Sequence, residues 1–260
     1  MDEDLGLQAP SRQRWMLVTG CCLLAIAAAF AGLMRADIQH PPVAGMDEAW
    51  LVLVAGARST PVTAVFKAAS VVGGPIGATI IVAVLCLVML AMRRWRTALY
   101  IALAEALGSA CSDLIKHFVL RPRPAHPLVS ADLGSFPSGH VITVLGVGIA
   151  LTVVFVRPGH RRYALAGVGA ATALMMFGRT YLAAHWLSDT FESLPIAAGL
   201  GLILWWIFEP QLARDRPGRP GEVQMRTEPS SAIVQPGLCA TSQTYPSGSA
   251  NAPVIPPHSA

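Results

Sequence analysis

Phe136-Pro137-Ser138-Gly139-His140 is the stretch that decides the fold, because it separates two apolar runs of the chain. A proline and a glycine interrupt the sequence here, and a long apolar run follows. The pattern predicts a helix that begins at this point, with Ser138 as its capping residue. Gly139 lets a ligand approach the backbone closely, and the free N–H groups of a helix N-terminus bind anions. We therefore expect an anion-binding helix start, with His140 one residue inside it as a proton donor.

The composition argues against an ordinary soluble domain. Of the 260 residues, 53% are hydrophobic and only 13% are charged, which is typical of a membrane protein with several spans. The net charge is +4, and the basic residues are scattered through short loops, so nucleic acid is not an expected partner. The five cysteines form no CxxC pair or Cys/His cluster, and neither a zinc site nor a disulfide framework is predicted.

Six apolar runs predict an all-α, polytopic membrane bundle of about six transmembrane helices. They cover residues 15–34, 71–92, 97–119, 140–156, 163–181 and 184–208. We interpret the first run as an uncleaved helix and not as a signal peptide, since the chain starts with acidic residues and many spans follow. Residues 35–70 mix charged and apolar positions and predict short interfacial helices, with an ordinary loop as the alternative.

The distribution of basic residues predicts the topology. With a cytoplasmic N-terminus, twelve of the nineteen Lys and Arg residues lie inside, namely Arg12, Arg14, Arg93, Arg94, Arg96, Arg157, Arg161, Arg162, Arg214, Arg216, Arg219 and Arg226. Both termini are then cytoplasmic, and the loop before His140 faces outward. The chain divides into a cytoplasmic N-terminus (1–14), a six-span domain (15–208) and a tail (209–260). The tail is rich in Pro, Ser and Gly, which predicts a disordered cytoplasmic segment.

Three groups of polar residues are predicted at the outward side of the membrane. In chain order they are Lys116 with Arg123, Ser138-Gly139-His140, and Arg179 with His185 and Asp189. Because Asp189 follows His185 by four residues, its carboxylate is expected to reach the imidazole and support positive charge on it. Three cations around one point suit a phosphate dianion. The two histidines would divide the work, one attacking and the other donating a proton, and no acidic cluster with metal-ligand spacing accompanies them.

These stretches resemble the three signatures of the type 2 phosphatidic acid phosphatase superfamily. Residues 116–124, Lys-His-Phe-Val-Leu-Arg-Pro-Arg-Pro, are similar to the first, a lysine and an Arg-Pro separated by six residues. Residues 137–140, Pro-Ser-Gly-His, match the second in full. Residues 178–189 match the third, except that Gly178 stands where a serine is usual. One pocket hydroxyl is then missing, and weaker phosphate contacts are expected there. With its flanking helices the resemblance covers about residues 15–208.

The resemblance implies an integral-membrane enzyme that removes phosphate from a lipid phosphate or pyrophosphate, with no metal or other cofactor. Carried over by position, His185 is the nucleophile that forms a phosphohistidine, Asp189 orients it, and His140 protonates the leaving oxygen. The implied phosphate-binding residues are Lys116, Arg123, Ser138, Gly139 and Arg179. Arg121 competes with Arg123 for its role, and the spacing favours Arg123.

The substrate and the reaction type remain open between several alternatives. The first substrate hypothesis is an isoprenoid carrier pyrophosphate such as undecaprenyl pyrophosphate, and the second is a lipid like phosphatidic acid. The same residues would also serve a lipid phosphotransferase that uses an alcohol in place of water. A non-enzymatic transporter or lipid-binding protein is disfavoured, because the charges lie at helix ends and no internal repeat is visible. The oligomeric state and the role of the tail are not predicted.

Overall fold

The protein is an all-α bundle in a computed structural model that describes residues 9–130 and 134–215. Its helices are α1 (Ala9–Ala36), α2 (Ala44–Gly56), α3 (Thr60–Val72), α4 (Pro75–Ala91), α5 (Trp95–Val119), α6 (Gly139–Phe155), α7 (Arg161–Tyr181) and α8 (Leu187–Arg214). A 3₁₀ helix, Pro158–His160, joins α6 to α7. No strand occurs in these two ranges, and the predicted fold class is confirmed.

The six predicted apolar runs correspond to α1, α4, α5, α6, α7 and α8. By length and composition α1, α5 and α8 are able to cross a membrane. The pair α3 and α4 provides a fourth candidate span, with a bend of 47° between the two helices. The apolar helix α6 has 17 residues, which is at the short end of the range for a transmembrane helix.

Large apolar side chains cover the outside of the bundle. On α4 an exposed row follows the helical period, formed by Ile76, Ile80, Val84 and Leu87. A comparable row on α1 contains Val18, Ile26 and Leu33. Such a surface would be unfavourable in water, whereas lipid tails are the expected surroundings for it. The outer surface therefore supports the membrane assignment independently of helix length.

The centre of the bundle is formed by α5, α6 and α8, with α1 packed along α8. Side chains from these helices bury Tyr100, Ile101, Val153 and Leu204 in one apolar cluster. Where α1 crosses α8, a Cβ on Gly199 would lie only 2.9 Å from the carbonyl oxygen of a glycine on α1. The two backbones thus approach as closely as small residues allow, a common way to pack helices in membranes.

The two short helices predicted after the first span are α2 and α3, of 13 residues each. Both pack against α7, and α2 also packs against α8. They therefore lie against the bundle near the start of α8 and the end of α7. That they lie in the membrane interface stays a prediction.

The last helix extends beyond the predicted start of the tail at residue 209. It ends at Arg214, because Leu212 is buried in the core and Asp215 is bound by the start of α5. The carboxylate of Asp215 accepts hydrogen bonds from Arg96 Nη1 at 3.1 Å and from the backbone N–H of Thr97 at 3.0 Å. The rest of the predicted tail and residues 1–8 lie outside the described residues.

Candidate active site

The three predicted clusters come together at one end of the bundle. Lys116 is in the last turn of α5, Ser138 directly precedes α6, and Arg179 is in the last turn of α7. His185 lies in the turn between α7 and α8, and Asp189 is in the first turn of α8. Since successive helices from α5 to α8 run antiparallel, these five positions share one end. The order of the apolar runs and the distribution of basic residues predicted this grouping.

His185 is enclosed, with only 2% of its surface exposed. Its Nδ1 lies 2.6 Å from the backbone carbonyl oxygen of Ser135. A carbonyl oxygen only accepts hydrogen bonds, so Nδ1 carries the hydrogen. In the neutral ring Nε2 then has a free lone pair, and it lies 3.5 Å from Nη1 of Arg123. This tautomer is the one that a nucleophilic Nε2 requires.

Burial lowers the pKa of His185 to about 4, the largest effect on this group. The carboxylate of Asp189 opposes the shift by raising the pKa, and the positive charges of Arg179 and Arg123 lower it further. The imidazole is therefore neutral at neutral pH. A neutral imidazole is ready to attack phosphorus without first losing a proton.

Asp189 lies near His185, but its hydrogen bonds go elsewhere. Its Oδ2 is 3.7 Å from Nδ1 of His185, which is longer than a hydrogen bond. That oxygen accepts from the backbone N–H of Trp186 at 2.8 Å and so caps α8. The spacing rule assumed that both residues lie on one helix, whereas α8 begins at Leu187 and leaves His185 in the preceding turn. Ser135, not Asp189, is the hydrogen-bond partner of Nδ1, and Asp189 contributes negative charge close by.

A buried ion-pair network lies behind Asp189, which the sequence analysis did not find. Arg121 is 4% exposed and places Nη1 at 2.6 Å from Oδ1 of Asp189 and Nη2 at 2.7 Å from Oδ2 of Asp47. Asp47, on α2, also accepts from the backbone N–H and the hydroxyl of Ser188 at 2.8 and 2.6 Å. Two adjacent acidic residues, Asp47 and Glu48, within the otherwise apolar α2 were the available sequence signal. Arg121 is thus engaged by two carboxylates and does not compete for phosphate.

Arg123 has a different environment from Arg121. Its Nη1 donates to the carbonyl oxygen of Ala184 at 2.5 Å, and its Nη2 donates to that of Gly134 at 3.1 Å. These bonds join the segment before α6 to the turn before α8. They also hold the guanidinium beside Nε2 of His185, where the phosphate of a substrate would be attacked. This geometry agrees with the spacing argument, which favoured Arg123 over Arg121 as the phosphate-binding residue.

Ser138 occupies the N-cap position of α6, but the predicted capping bond is wrong, because its hydroxyl makes none. The backbone N–H of Ser138 is instead bonded to Oγ of Ser193 at 3.0 Å. Among the described residues the buried Oγ of Ser138 has no hydrogen-bond partner. A buried hydroxyl without a partner is unfavourable in the absence of a ligand. It is therefore available to bind an anion.

Gly139 brings the start of α6 against the end of α5. A Cβ at this position would lie 3.2 Å from Oγ of Ser112 and 3.5 Å from Nζ of Lys116. Only a glycine leaves this gap open. Lys116 also lies 3.6 Å from Oδ1 of Asp113, a mostly exposed carboxylate. The ammonium group is thereby held next to the N-terminus of α6, where both favour an anion.

His140 and Arg179 meet at Ser70 on α3, a residue that the sequence analysis did not assign to the site. Nε2 of His140 lies 3.1 Å from the carbonyl oxygen and 3.3 Å from Oγ of Ser70. Nη1 of Arg179 donates to the same hydroxyl. The Nε of Arg179 is buried and has no partner within the described ranges, so it is a second donor available to an anion. Ser70 belongs to no recognisable motif, so the sequence did not reveal its role.

Gly178 stands where the third signature usually has a serine, and here it contacts α3. A Cβ at Gly178 would lie 2.6 Å from Cδ1 of Phe66. The ring of Phe66 packs against Phe177 and Tyr181, with centroids 5.5 and 5.2 Å apart. The glycine therefore makes room for an aromatic ring. The weaker phosphate contacts expected at this position stay a prediction.

A cavity of about 530 Å³ opens beside His140 and Arg179. Its other polar side chains are Lys67, Ser70 and Ser130. Its apolar wall is formed by Val71, Ile76, Leu128 and Val129. The lining thus combines cationic and polar side chains with an apolar wall.

Within residues 9–130 and 134–215, no group of three or more His, Cys, Asp or Glu side chains is placed to hold a metal ion. Whether the reaction proceeds without a metal stays a prediction to be tested in solution.

Comparisons with known proteins show what the chain is similar to. Residues 95–212, which contain all eight predicted site residues, match the sequence model of the PAP2 superfamily. The fold is similar to the crystal structure of the first transmembrane PAP2 type phosphatidylglycerolphosphate phosphatase from Bacillus subtilis. The TM-score is 0.65 at 19% identity, and the match covers 74% of this chain and 96% of that chain. No protein of curated function matches the sequence. The match over residues 95–212 and the similar fold together support the type 2 phosphatidic acid phosphatase superfamily and a membrane phosphatase of that kind.

Proposed function

We propose that this phosphatase hydrolyses a lipid phosphate or pyrophosphate at the outward face of the cell membrane, through a phosphohistidine on His185 and without a metal. The observation that carries the proposal is the tautomer and the environment of the His185 ring. Its Nδ1–H is bound to Ser135, and its free Nε2 lies beside the guanidinium of Arg123. A buried neutral imidazole with a free Nε2 among cations suits nucleophilic attack on an anion.

In the first step Nε2 of His185 attacks phosphorus. The N–P bond forms while the P–O bond to the leaving lipid breaks, and the electron pair of that bond goes to the lipid oxygen. The bound phosphate dianion favours a protonated His140, which takes up its proton from solvent when the substrate binds. The leaving oxygen takes this proton from His140 and departs as an alcohol, or as a lipid monophosphate when the substrate is a pyrophosphate. His140 becomes neutral. The charge on the transferring phosphoryl oxygens is met by Lys116, Arg123 and Arg179.

In the second step water attacks the phosphohistidine. His140, now neutral, accepts a proton from the water as its oxygen bonds to phosphorus. The N–P bond breaks, its electron pair returns to Nε2, and inorganic phosphate leaves. His140 is protonated again and His185 is neutral, which restores the starting state.

Two buried donors that have no hydrogen-bond partner within the described part of the chain support a binding site for the phosphoryl oxygens. These are Oγ of Ser138 and Nε of Arg179. The start of α6 adds backbone N–H groups that point toward the same region. Donors held in place before the substrate arrives stabilise developing charge better than water, because they need no reorganisation.

The cavity supports a lipid substrate with more than one anionic group. Lys67 lines it together with Arg179 and His140, so a second phosphate would have a cation of its own. An isoprenoid carrier pyrophosphate such as undecaprenyl pyrophosphate is the first candidate, and a lipid like phosphatidic acid is the second. Phosphatidylglycerolphosphate, named for the Bacillus subtilis structure, is the third. The apolar wall would contact the first part of the lipid chain.

The test is phosphate release by the purified protein in detergent. The substrates are an isoprenyl pyrophosphate, phosphatidic acid and phosphatidylglycerolphosphate, each with and without EDTA. We expect release that EDTA leaves unchanged and that His185→Ala abolishes, while His40→Ala, an exposed histidine, keeps full activity. Activity retained in His185→Ala would refute the nucleophile, and inhibition by EDTA would refute the metal-free reaction. Addition of a short alcohol distinguishes hydrolysis from phosphotransfer, since only a transferase forms the new phosphate ester.

A further inference from the structure

The imidazole of His140 rests against the bend between α3 and α4. Ser70, in the last turn of α3, places its carbonyl oxygen 3.1 Å and its hydroxyl oxygen 3.3 Å from Nε2. Because the carbonyl only accepts, Nε2 carries a hydrogen. The same hydroxyl accepts a hydrogen bond from Nη1 of Arg179. One serine thus contacts both the proposed acid and a proposed phosphate-binding cation.

Gly74, at the start of α4, completes this contact. A Cβ at Gly74 would lie 3.0 Å from Nε2 of His140 and 2.6 Å from the carbonyl oxygen of Ser70. Any larger residue would push the ring away from the carbonyl. The bend therefore fits the imidazole closely on two sides.

The position of Ser70 is fixed by packing elsewhere on α3. Phe66 precedes it by one helical turn and occupies the gap over Gly178. Near the start of α3, the hydroxyl of Tyr181 accepts a hydrogen bond from the backbone N–H of Ser59 at 2.8 Å and lies 3.3 Å from Oγ1 of Thr63. These contacts hold α3 against the end of α7, the helix that carries Arg179. Ser70 is therefore not free to move away from the site.

We propose that Ser70 is a positioning residue of this phosphatase, which orients the ring of His140 toward the leaving oxygen and fixes the guanidinium of Arg179 on the phosphate. The inference rests on the proposed function, because it assigns Ser70 to the proton-transfer step of that reaction. It does not follow from the family match, since Ser70 lies outside residues 95–212.

The test compares two leaving groups. A lipid alkyl phosphate needs a proton on its leaving oxygen, whereas p-nitrophenyl phosphate releases a stable phenolate and depends little on an acid. Ser70→Ala keeps the backbone carbonyl and removes the hydroxyl that contacts both Nε2 of His140 and Nη1 of Arg179. We expect it to lower kcat on the lipid phosphate by about tenfold to a hundredfold, the range for one hydrogen bond to a charged group. The loss on p-nitrophenyl phosphate should be several-fold smaller. Ser70→Thr keeps the hydroxyl and should restore most of the activity.

A matched control and a second variant keep the test decisive. Thr172→Val removes a buried hydroxyl that is bonded only within α7, to the carbonyl of Val168, and should leave both rates unchanged. Gly74→Ala keeps the Ser70 side chain but crowds the Ser70 carbonyl oxygen and Nε2 of His140, so it should reproduce the selective loss. It replaces Ser70→Ala if that variant does not fold. In a His140→Asn background, Ser70→Ala should cause no further leaving-group-dependent loss.

Two outcomes would overturn the inference. They are an unchanged rate in Ser70→Ala, and an equal loss on both substrates. Failure of the wild-type protein to release phosphate from either substrate would instead refute the proposed function, so the two failures are distinguishable.

Discussion

At the scale of single residues, burial sets the chemistry of the site. His185 has almost no contact with water and lies between two guanidinium groups and one carboxylate. Desolvation disfavours the charged ring more than Asp189 favours it, which leaves a neutral nucleophile. The residue type and its approximate neighbours were predictable from spacing. The hydrogen bond to Ser135 was not, because a backbone carbonyl 50 positions away leaves no local signal.

The lowered pKa of His185 predicts a dependence of stability on pH. The unfolded chain binds a proton with the ordinary pKa of 6.5, whereas the native protein binds it only near about 4. As the pH falls from 6.5 to 4, the unfolded state takes up a proton that the native state excludes, so stability decreases. We expect the melting temperature in detergent to fall more steeply over this range for the wild type than for His185→Asn, which keeps a donor for Ser135 but does not titrate. If the melting temperature of both proteins changed equally with pH, the lowered pKa of His185 would be contradicted.

The ion pairs of Arg121 lead to a second prediction at this scale. Asp47 is 1% exposed and shares Arg121 with Asp189. Removal of one partner from a buried pair costs about 3–5 kcal/mol, because the remaining charge loses its compensation. Asp47→Asn should therefore lower the free energy of unfolding by about 3 kcal/mol. Asp37→Asn, at an exposed pair with His40, should change it by less than about 1 kcal/mol. Chemical denaturation in detergent measures both, and equal effects would show that the network does not stabilise the fold.

At the scale of helices, the long apolar runs predicted the bundle well. The short helices α2 and α3 contribute site residues that were not predicted. The ends of α5, α6 and α7 lie within two residues of the predicted limits, because Pro, Gly and basic residues mark them. The roles of α2 and α3 were not predictable. Asp47 and Ser70 contact partners more than 65 positions away, and the sequence around a polar residue does not indicate such a distant partner.

The contact between α3 and α7 predicts the effect of restoring the usual signature residue. Gly178→Ser adds a Cβ at 2.6 Å from Phe66, so the ring and α3 must shift. We expect a lower melting temperature and a loss of kcat/KM of about tenfold, since overpacking typically costs about 1–3 kcal/mol. The added substitution Phe66→Ala should recover part of the activity by removing the clash. Full activity in Gly178→Ser alone would show that the packing of α3 does not govern the site.

At the scale of the whole molecule, the antiparallel order of α5 to α8 places all predicted site residues at one end of the bundle. The opposite end holds the basic turns, including Arg96 with its partner Asp215. This separation agrees with the charge distribution from which the topology was predicted. The side of the membrane that each end faces follows only from that charge rule and is a proposal.

Cysteine labelling tests the topology directly. In a background without native cysteines, His126→Cys lies at the site end and Gly159→Cys at the opposite end, and both positions are exposed. A membrane-impermeant maleimide added to intact cells should label the first and not the second. After permeabilisation both should react, which shows that the second is accessible. The reverse pattern would place the active site in the cytoplasm and exclude an outward-facing reaction.

The most direct test of the central proposal is to trap the phosphoryl enzyme. With p-nitrophenyl phosphate, His140→Asn should still form the intermediate, because the leaving group needs little protonation, but should hydrolyse it slowly for lack of a base. Rapid quenching under alkaline conditions followed by mass spectrometry of peptides should find one phosphoryl group on His185. His185→Ala in the same background should carry none. A phosphoryl group on any other residue, or none in His140→Asn while phosphate is still released, would contradict the phosphohistidine mechanism.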